Sequence, residues 1–208
     1  MTIRLERLLM PKIGLLVATQ LVFLLATVAQ AEVRLPSIIG SHMVIQQGME
    51  VPIWGWAEPG EEVTVSMNEK TAIATAAEDG KWRVKIGPFE AGNPSNMTIS
   101  GSNSIELTDI LVGEVWLCGG QSNMATSLKG YADHEELEKI DFSKIRLFKV
   151  ALRSTDQPQD DCQGSWARCD ATSAAEFSAN GHYIGKHLFE QLQVPVGLIH
   201  DCYSGSPG

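Results

Sequence analysis

The stretch Ile110-Leu-Val-Gly-Glu-Val-Trp-Leu-Cys-Gly-Gly-Gln-Ser-Asn-Met124 decides how this chain is read. It is an apolar run that stops abruptly at two glycines and a serine. A short continuous apolar run suits a strand covered on both faces, as in parallel sheets. Gly119 and Gly120 then permit a tight turn and a close backbone approach that bulkier residues would obstruct. Ser122 is thereby expected just past the carboxyl end of a strand, where open α/β sheets bind their ligands. That position suits a nucleophile. The same Gly-Gly-Gln-Ser turn could equally connect a strand to a helix that Ser122 caps, and spacing alone leaves the two readings even.

Downstream, the pattern alternates between strands and helices. Asp133-His-Glu-Glu136 has an acceptor followed three residues later by glutamate, which predicts a short helix. Lys144 to Leu152 reads as a second strand, and the polar, turn-rich segment from Gln157 to Asp170 as a surface loop. Ser173-Ala-Ala-Glu176 is a further capping box, after which Phe177, Gly181, Ile184, Leu188 and Leu192 share one helical face. Val194 to His200 is a third buried strand, running into the small residues of Asp201 to Ser206. Strand, helix, strand with short connections predicts a right-handed parallel unit. A parallel sheet needs both faces covered, so residues 109–208 are expected to be the front part of a longer, three-layer α/β domain.

Upstream, residues 32–108 read as strands and turns only. Val63-Thr-Val-Ser-Met67, Trp82-Arg-Val-Lys-Ile86, Met97-Thr-Ile99 and Ile105-Glu-Leu107 alternate with period two, which predicts one buried and one wet face. Pro59-Gly60, Asp79-Gly80 and Asn93-Pro94 punctuate them, and the expected architecture is a small jelly-roll-like β-sandwich. Trp54 and Trp56 flank Gly55 and project from one strand face. They could stack a sugar ring, but filling the sandwich core or its junction is the favoured reading.

Residues 1–31 have the three parts of a secretory signal peptide: Arg4, Arg7 and Lys12, then an apolar segment, then Ala29-Gln30-Ala31. The apolar run is shorter than the ~20 residues a spanning helix needs, so no stable membrane insertion is expected after cleavage. The implied location is secreted or periplasmic. The full sequence carries a formal charge of −9, and with no basic cluster nucleic acid is a poor partner.

Cys118, Cys162, Cys169 and Cys202 show no zinc-site spacing. In an oxidising compartment Cys162 could pair with Cys169 and Cys118 with Cys202; buried free thiols are equally consistent. A serine hydroxyl needs a base and donors aimed at the developing oxyanion, each donor worth about 3 kcal/mol. The backbone N–H groups of Ser122 and Gly205 are candidates, with Gln121 and Asn123 as flanking oxyanion or substrate residues. A rival nucleophile, Ser206 in Ser204-Gly-Ser-Pro-Gly208, is weakened by the proline that follows it. None of His42, His134, His182, His187 and His200 is pointed at Ser122 by any sequence feature.

From Gly113 to Met124 the chain resembles the sialate O-acetylesterase family of SGNH hydrolases. The similarity extends to His42-Met-Val-Ile-Gln-Gln-Gly48, Trp54-Gly55, Ile145-Arg-Leu-Phe148, Phe177-Ser-Ala179 and Val194-Pro-Val-Gly-Leu-Ile-His200. The resemblance implies a flavodoxin-like catalytic domain in which Ser122 attacks an O-acetyl ester on a sugar, with no metal or organic cofactor. The family usually has a glycine pair followed by Thr-Pro after the third strand; here Ser204-Gly205-Ser206-Pro207 leaves Gly205 as the second oxyanion donor. The family's catalytic histidine, in an Asp-x-x-His arrangement, and a further oxyanion asparagine lie downstream of anything in this sequence. Those roles do not transfer to His200 or Asp201. Two functions are therefore expected of different classes: a carbohydrate O-acetylesterase, or a catalytically incomplete fragment acting at most as a weak carbohydrate-binding module.

Overall fold

The computed structural model describes residues 32–205. The expected signal segment and Ser206 lie outside the described residues. The strands are β1 (Val44–Gln46), β2 (Val51–Trp56), β3 (Glu62–Met67), β4 (Lys70–Thr75), β5 (Lys81–Ile86), β6 (Ser95–Ser100), β7 (Ser104–Gly120), β8 (Asp141–Lys149), β9 (Trp166–Asp170) and β10 (Val196–Cys202). The helices are α1 (Ser122–Ala125), α2 (His134–Glu138), α3 (Ala171–Ala175) and α4 (Ala179–Leu192).

A mixed sheet runs in the order β4-β3-β6-β7-β10-β8-β9, with β1 also on β7, and β2 and β5 form a separate pair. The organising element is β7. It pairs antiparallel with β6 before Leu111, then parallel with β1 and finally parallel with β10 up to Gly120. The expected boundary at residues 108 and 109 falls inside this unbroken strand. There β7 carries a bulge: the pairing with β6 shifts register, and Asp109 has φ 55°. Aspartate is among the few residues that tolerate the left-handed region, and a bulge bends the strand it interrupts.

Two apolar clusters pack against β7, the first reaching past the bend through Val112, Phe148 and Trp166. The first gathers Ile53, Val65, Trp82, Val84, Ile99 and Ile110, so β2 and β5 share a core with β3, β6 and the start of β7. The second gathers Cys118, Leu147, Phe177, Ala179 and Leu198 between the helices and β7, β8 and β10. Asp109 is held where the two meet: Arg146 Nη2 donates to its carboxylate at 3.0 and 2.9 Å, and His42 Nδ1 lies 2.8 Å from Oδ2.

Several local expectations need correction. The end of the supposed loop from Gln157 to Asp170 is strand β9, antiparallel to β8. What fixes it is tertiary: Trp166 packs 5.4 Å from Phe148, and its Nε1 donates to the Ile38 carbonyl at 2.8 Å. The helix expected from Ser173 is two helices. Asp170 and Ser173 form the capping box of α3, and Ser178 caps α4 by accepting from Gly181 N.

The buried face of α4 also differs from the expected one. Of the expected face, Phe177 and Gly181 are buried and Leu188 packs against the second cluster, whereas Ile184 and Leu192 are exposed and Ala179, His182 and Gly185 are buried as well. A Cβ on Gly185 would lie 2.4 Å from Leu198 Cδ1, so the helix approaches β10 closely at this glycine, with Leu188 and Phe189 packing on the same cluster. The helix α2 starts at Asp133 as expected, its side chain accepting from Glu136 N at 2.8 Å. All four cysteines are free thiols. Among the described residues no helix is long and apolar enough to cross a membrane.

Candidate functional site

The carboxyl ends of β7, β8 and β10 lie side by side, because β10 pairs in parallel with both neighbours. At the end of β7, Gly120 has φ 136°, a conformation L side chains rarely adopt, and the chain turns directly into α1. Ser122 is the first residue of that single turn and is exposed. The cap position belongs to Gln121, which makes no side-chain cap bond, and Ser122 contributes its carbonyl, accepting from Thr126 Oγ1 at 2.9 Å. The Ser122 hydroxyl therefore does not serve as the helix cap.

The turn is fastened to the start of α4. Asn180 Nδ2 donates to the Asn123 carbonyl at 2.9 Å, Ala179 N to the Thr126 carbonyl at 2.9 Å, and Leu128 N to the Phe177 carbonyl at 2.8 Å. Close approach here depends on Gly181, where a Cβ would meet Cys118 Sγ at 3.2 Å. A serine at the end of a strand is thus held by backbone bonds to a second element, which limits its wander relative to the sheet.

Beside this turn, a cavity of about 1010 Å³ opens over the strand ends, bordered by Gly120, Lys149, Arg153, Asp201, Cys202 and Gly205, among others. Gly205, with φ 83°, shares this cavity with Gly120, two residues before Ser122. Gln121, Ser122 and Asn123 themselves continue along the surface and do not border it.

The cavity's cations, Lys149 and Arg153, were not singled out by any motif. Lys149 Nζ donates to the Glu176 carbonyl at 2.6 Å, tying the end of β8 to the start of the α4 segment. Its place at a strand's carboxyl end is the one signal that could have found it.

His200 is the histidine at these strand ends. It is only 5% exposed, its ring packs 5.4 Å from Phe177, and its Nε2 lies 3.0 Å from Cys202 Sγ. Burial, with the Lys149 charge second, holds its imidazole below the ordinary histidine range. Burial likewise pushes the Cys118 thiol up to about 11, with Cys202 adding to the shift. These two thiols are not poised as nucleophiles. The other histidines are placed elsewhere: His42 on Asp109, His134 on Glu138, His182 in the core beside Cys169, and His187 on the exposed side of α4. Among the described residues no group of three or more histidine, cysteine or acidic side chains could hold a metal ion.

Comparison with known proteins adds relatives to this geometry. No family model matches the chain. It is 29% identical over 196 residues to a sialate O-acetylesterase of Rattus norvegicus, covering 84% of this chain and 36% of the relative. The human sialate O-acetylesterase is also 29% identical over 196 residues, with 38% of its length covered. Among solved structures, a carbohydrate acetylesterase from Xanthomonas citri superposes with a TM-score of 0.81 at 31% identity, covering 85% of this chain and 41% of that one. The chain thus spans well under half the length of these relatives.

Proposed function

This chain belongs to the sialate O-acetylesterase family, and from that premise we propose that it carries the nucleophile half of a carbohydrate O-acetylesterase. The observation that carries the reading is Ser122, exposed on the turn after the Gly120 kink, beside the cavity at the strand ends. In the proposed reaction Ser122 Oγ bonds to the acetyl carbonyl carbon and gives up its proton to a base. The N–H groups of Ser122 and Gly205 face the developing oxyanion, and Gln121 and Asn123 flank it. The ester C–O bond then breaks, the sugar oxygen takes the proton, and water releases acetate from the acyl-enzyme.

The base is not assigned to any histidine among the described residues. His200 is buried on Cys202 and Phe177, so the proposal assigns the proton acceptor to length that the relatives have and this chain does not span. We read β1–β6 with the first half of β7 as a β-sandwich and the rest as part of an SGNH hydrolase domain. Residues 1–31 direct the product to a secreted or periplasmic location.

The test is hydrolysis of acetylated sugars by the intact gene product, with and without Ser122→Ala. Loss of acetate release by several orders of magnitude is expected, and undiminished turnover would overturn the assignment. A second reading, in which residues 32–208 alone do not turn over ester, is favoured by the engaged His200. Ser122-dependent hydrolysis by that segment would refute it.

A further inference from the structure

The outer face of the β2–β5 pair is a second place where this chain could meet a ligand, and it lies apart from Ser122. In β2, Val51, Ile53 and Gly55 are buried and Trp54 and Trp56 are half-buried on the opposite face, Trp54 also packing against the first apolar cluster, which meets the core-or-junction expectation in part. In β5, Trp82, Val84 and Ile86 face inward, and Lys81, Arg83 and Lys85 outward. The register sets Trp54 directly opposite Arg83 and Trp56 opposite Lys81. Arg34 bridges to Trp56 from the other side. Three cations, Lys81, Arg83 and Arg34, thus stand beside two tryptophans on one small face of a chain whose formal charge is −9.

The aromatic rings stand about 7 Å apart along the strand, as side chains two residues apart do. Arg83 lies 5.7 Å from the Trp54 ring centre and Arg34 5.6 Å from that of Trp56. These separations are near the outer limit of a cation–π contact, about 6 Å, where the attraction is weak. Each guanidinium is therefore kept beside its ring but is free to be drawn to a better partner.

A cavity of about 440 Å³ lies over this face, and Asp160 borders it. Asp160 Oδ1 accepts from Lys81 Nζ at 3.0 Å across an exposed pair. The neighbouring Asp161 anchors the loop by accepting from Ser37 N at 2.9 Å. A carboxylate is thus already seated on this cavity's lysine, held by a contact of the weak, exposed kind.

We propose that this face binds a saccharide bearing carboxylate groups, with the sugar against Trp54 and Trp56 and its carboxylates on Lys81 and Arg83 in place of Asp160. Aromatic rings supply apolar area and cations supply charge-assisted hydrogen bonds, which a neutral sugar could not use. The inference does not depend on Ser122.

The experiment titrates the purified chain with a galacturonate trimer, with neutral maltotriose and with a deoxythymidine decamer, reading tryptophan fluorescence. Binding of the galacturonate trimer that weakens with added salt is expected, with little response to maltotriose or the decamer. Lys81→Gln or Arg83→Gln should weaken it about tenfold. Asp160→Asn should instead tighten it about two- to fivefold, because an internal competitor is removed. All three positions are exposed, and these substitutions leave hydrolysis of a small acetate ester by the intact product unchanged, which separates this site from the esterase reading. Equal binding of maltotriose, tighter binding of the decamer, no binding, or indifference to Arg83→Gln would each overturn the proposal.

Discussion

Arg146, only 1% exposed, sends one guanidinium nitrogen to both carboxylate oxygens of Asp109, the residue at which β7 bends. Its Nε and Nη1 have no hydrogen-bond partner among the described residues. Burial lowers the guanidinium's pKa and the nearby Asp109 charge opposes that shift, so the pair is what makes a charged side chain tolerable there.

Replacing Asp109 with Asn keeps a residue that tolerates the left-handed backbone but removes the counter-charge. The expected cost is about 3 kcal/mol in denaturant unfolding, the lower end for breaking a buried pair because the Asp109 side chain is partly exposed. Arg146→Met, which removes the buried charge itself, should cost less. If Asp109→Asn unfolds at the wild-type midpoint, the pair does not secure the bend.

The two buried histidines make stability depend on pH. Burial is the first cause lowering both His182 and His200, with Lys186 and Lys149 respectively adding to it. Their folded pKa values lie below the unfolded value of about 6.5, so the unfolded chain binds more protons in acid. Stability is therefore complete above about pH 6.5 and falls as pH drops from there toward the folded values. Carboxylates lowered by their hydrogen bonds, such as Asp170 on Ser173 N, act in the same direction but only below about pH 4. Denaturation midpoints should be flat from pH 7 to 8 and decline as pH falls below about 6.5, and His200→Gln should flatten part of that decline. An unchanged slope in the variant would remove His200 from the account.

Glycine to alanine in a helix interior ordinarily stabilises by up to about 1 kcal/mol. At Gly185 the expected sign is reversed. The new Cβ would meet Leu198 at 2.4 Å, and Leu198 is fully buried and cannot swing away. A loss of about 1–3 kcal/mol is expected from overpacking, and the same change should cost less in a Leu198→Ala background, where the clash is removed. Simple additivity of the two single changes, measured by urea unfolding, would show that the helix shifts freely.

This glycine contact also explains what sequence reading could and could not reach. Period-two alternation located β3, β5 and β6, and the apolar run ending in glycines located the end of β7, because in each the burial follows hydrophobicity. On α4 it succeeded in part: Phe177, Gly181 and Leu188 do face the core, but it chose Ile184 and Leu192, which are exposed, and missed the small or polar Ala179, His182 and Gly185. Strand β4 went unseen because it is exposed on most of its length, and β9 because Trp166 is placed by Phe148 and Ile38, distant in sequence. For the site, the Gly120 turn and Ser122 were legible as a motif. Lys149 and Arg153 were not, since they come to the cavity only through the pairing of β8 with β10.

That pairing leaves the other side of β7 open. Among the described residues, the part of β7 from Glu114 to Gly120 is paired with β10 alone. It exposes Trp116 at 45% and Leu117 at 67% on an edge that no strand covers, where Val115 N donates to Gln46 Oε1 at 3.0 Å. Open edges bearing apolar side chains template association with other chains, and a lysine on such an edge opposes it. Leu117→Lys should therefore leave the unfolding midpoint within about 0.5 kcal/mol of wild type, because the side chain loses little burial. The same change should lower concentration-dependent light scattering of the purified chain. Scattering that is independent of this residue while Trp116→Thr also has no effect would mean that the free edge of β7 is not where copies meet.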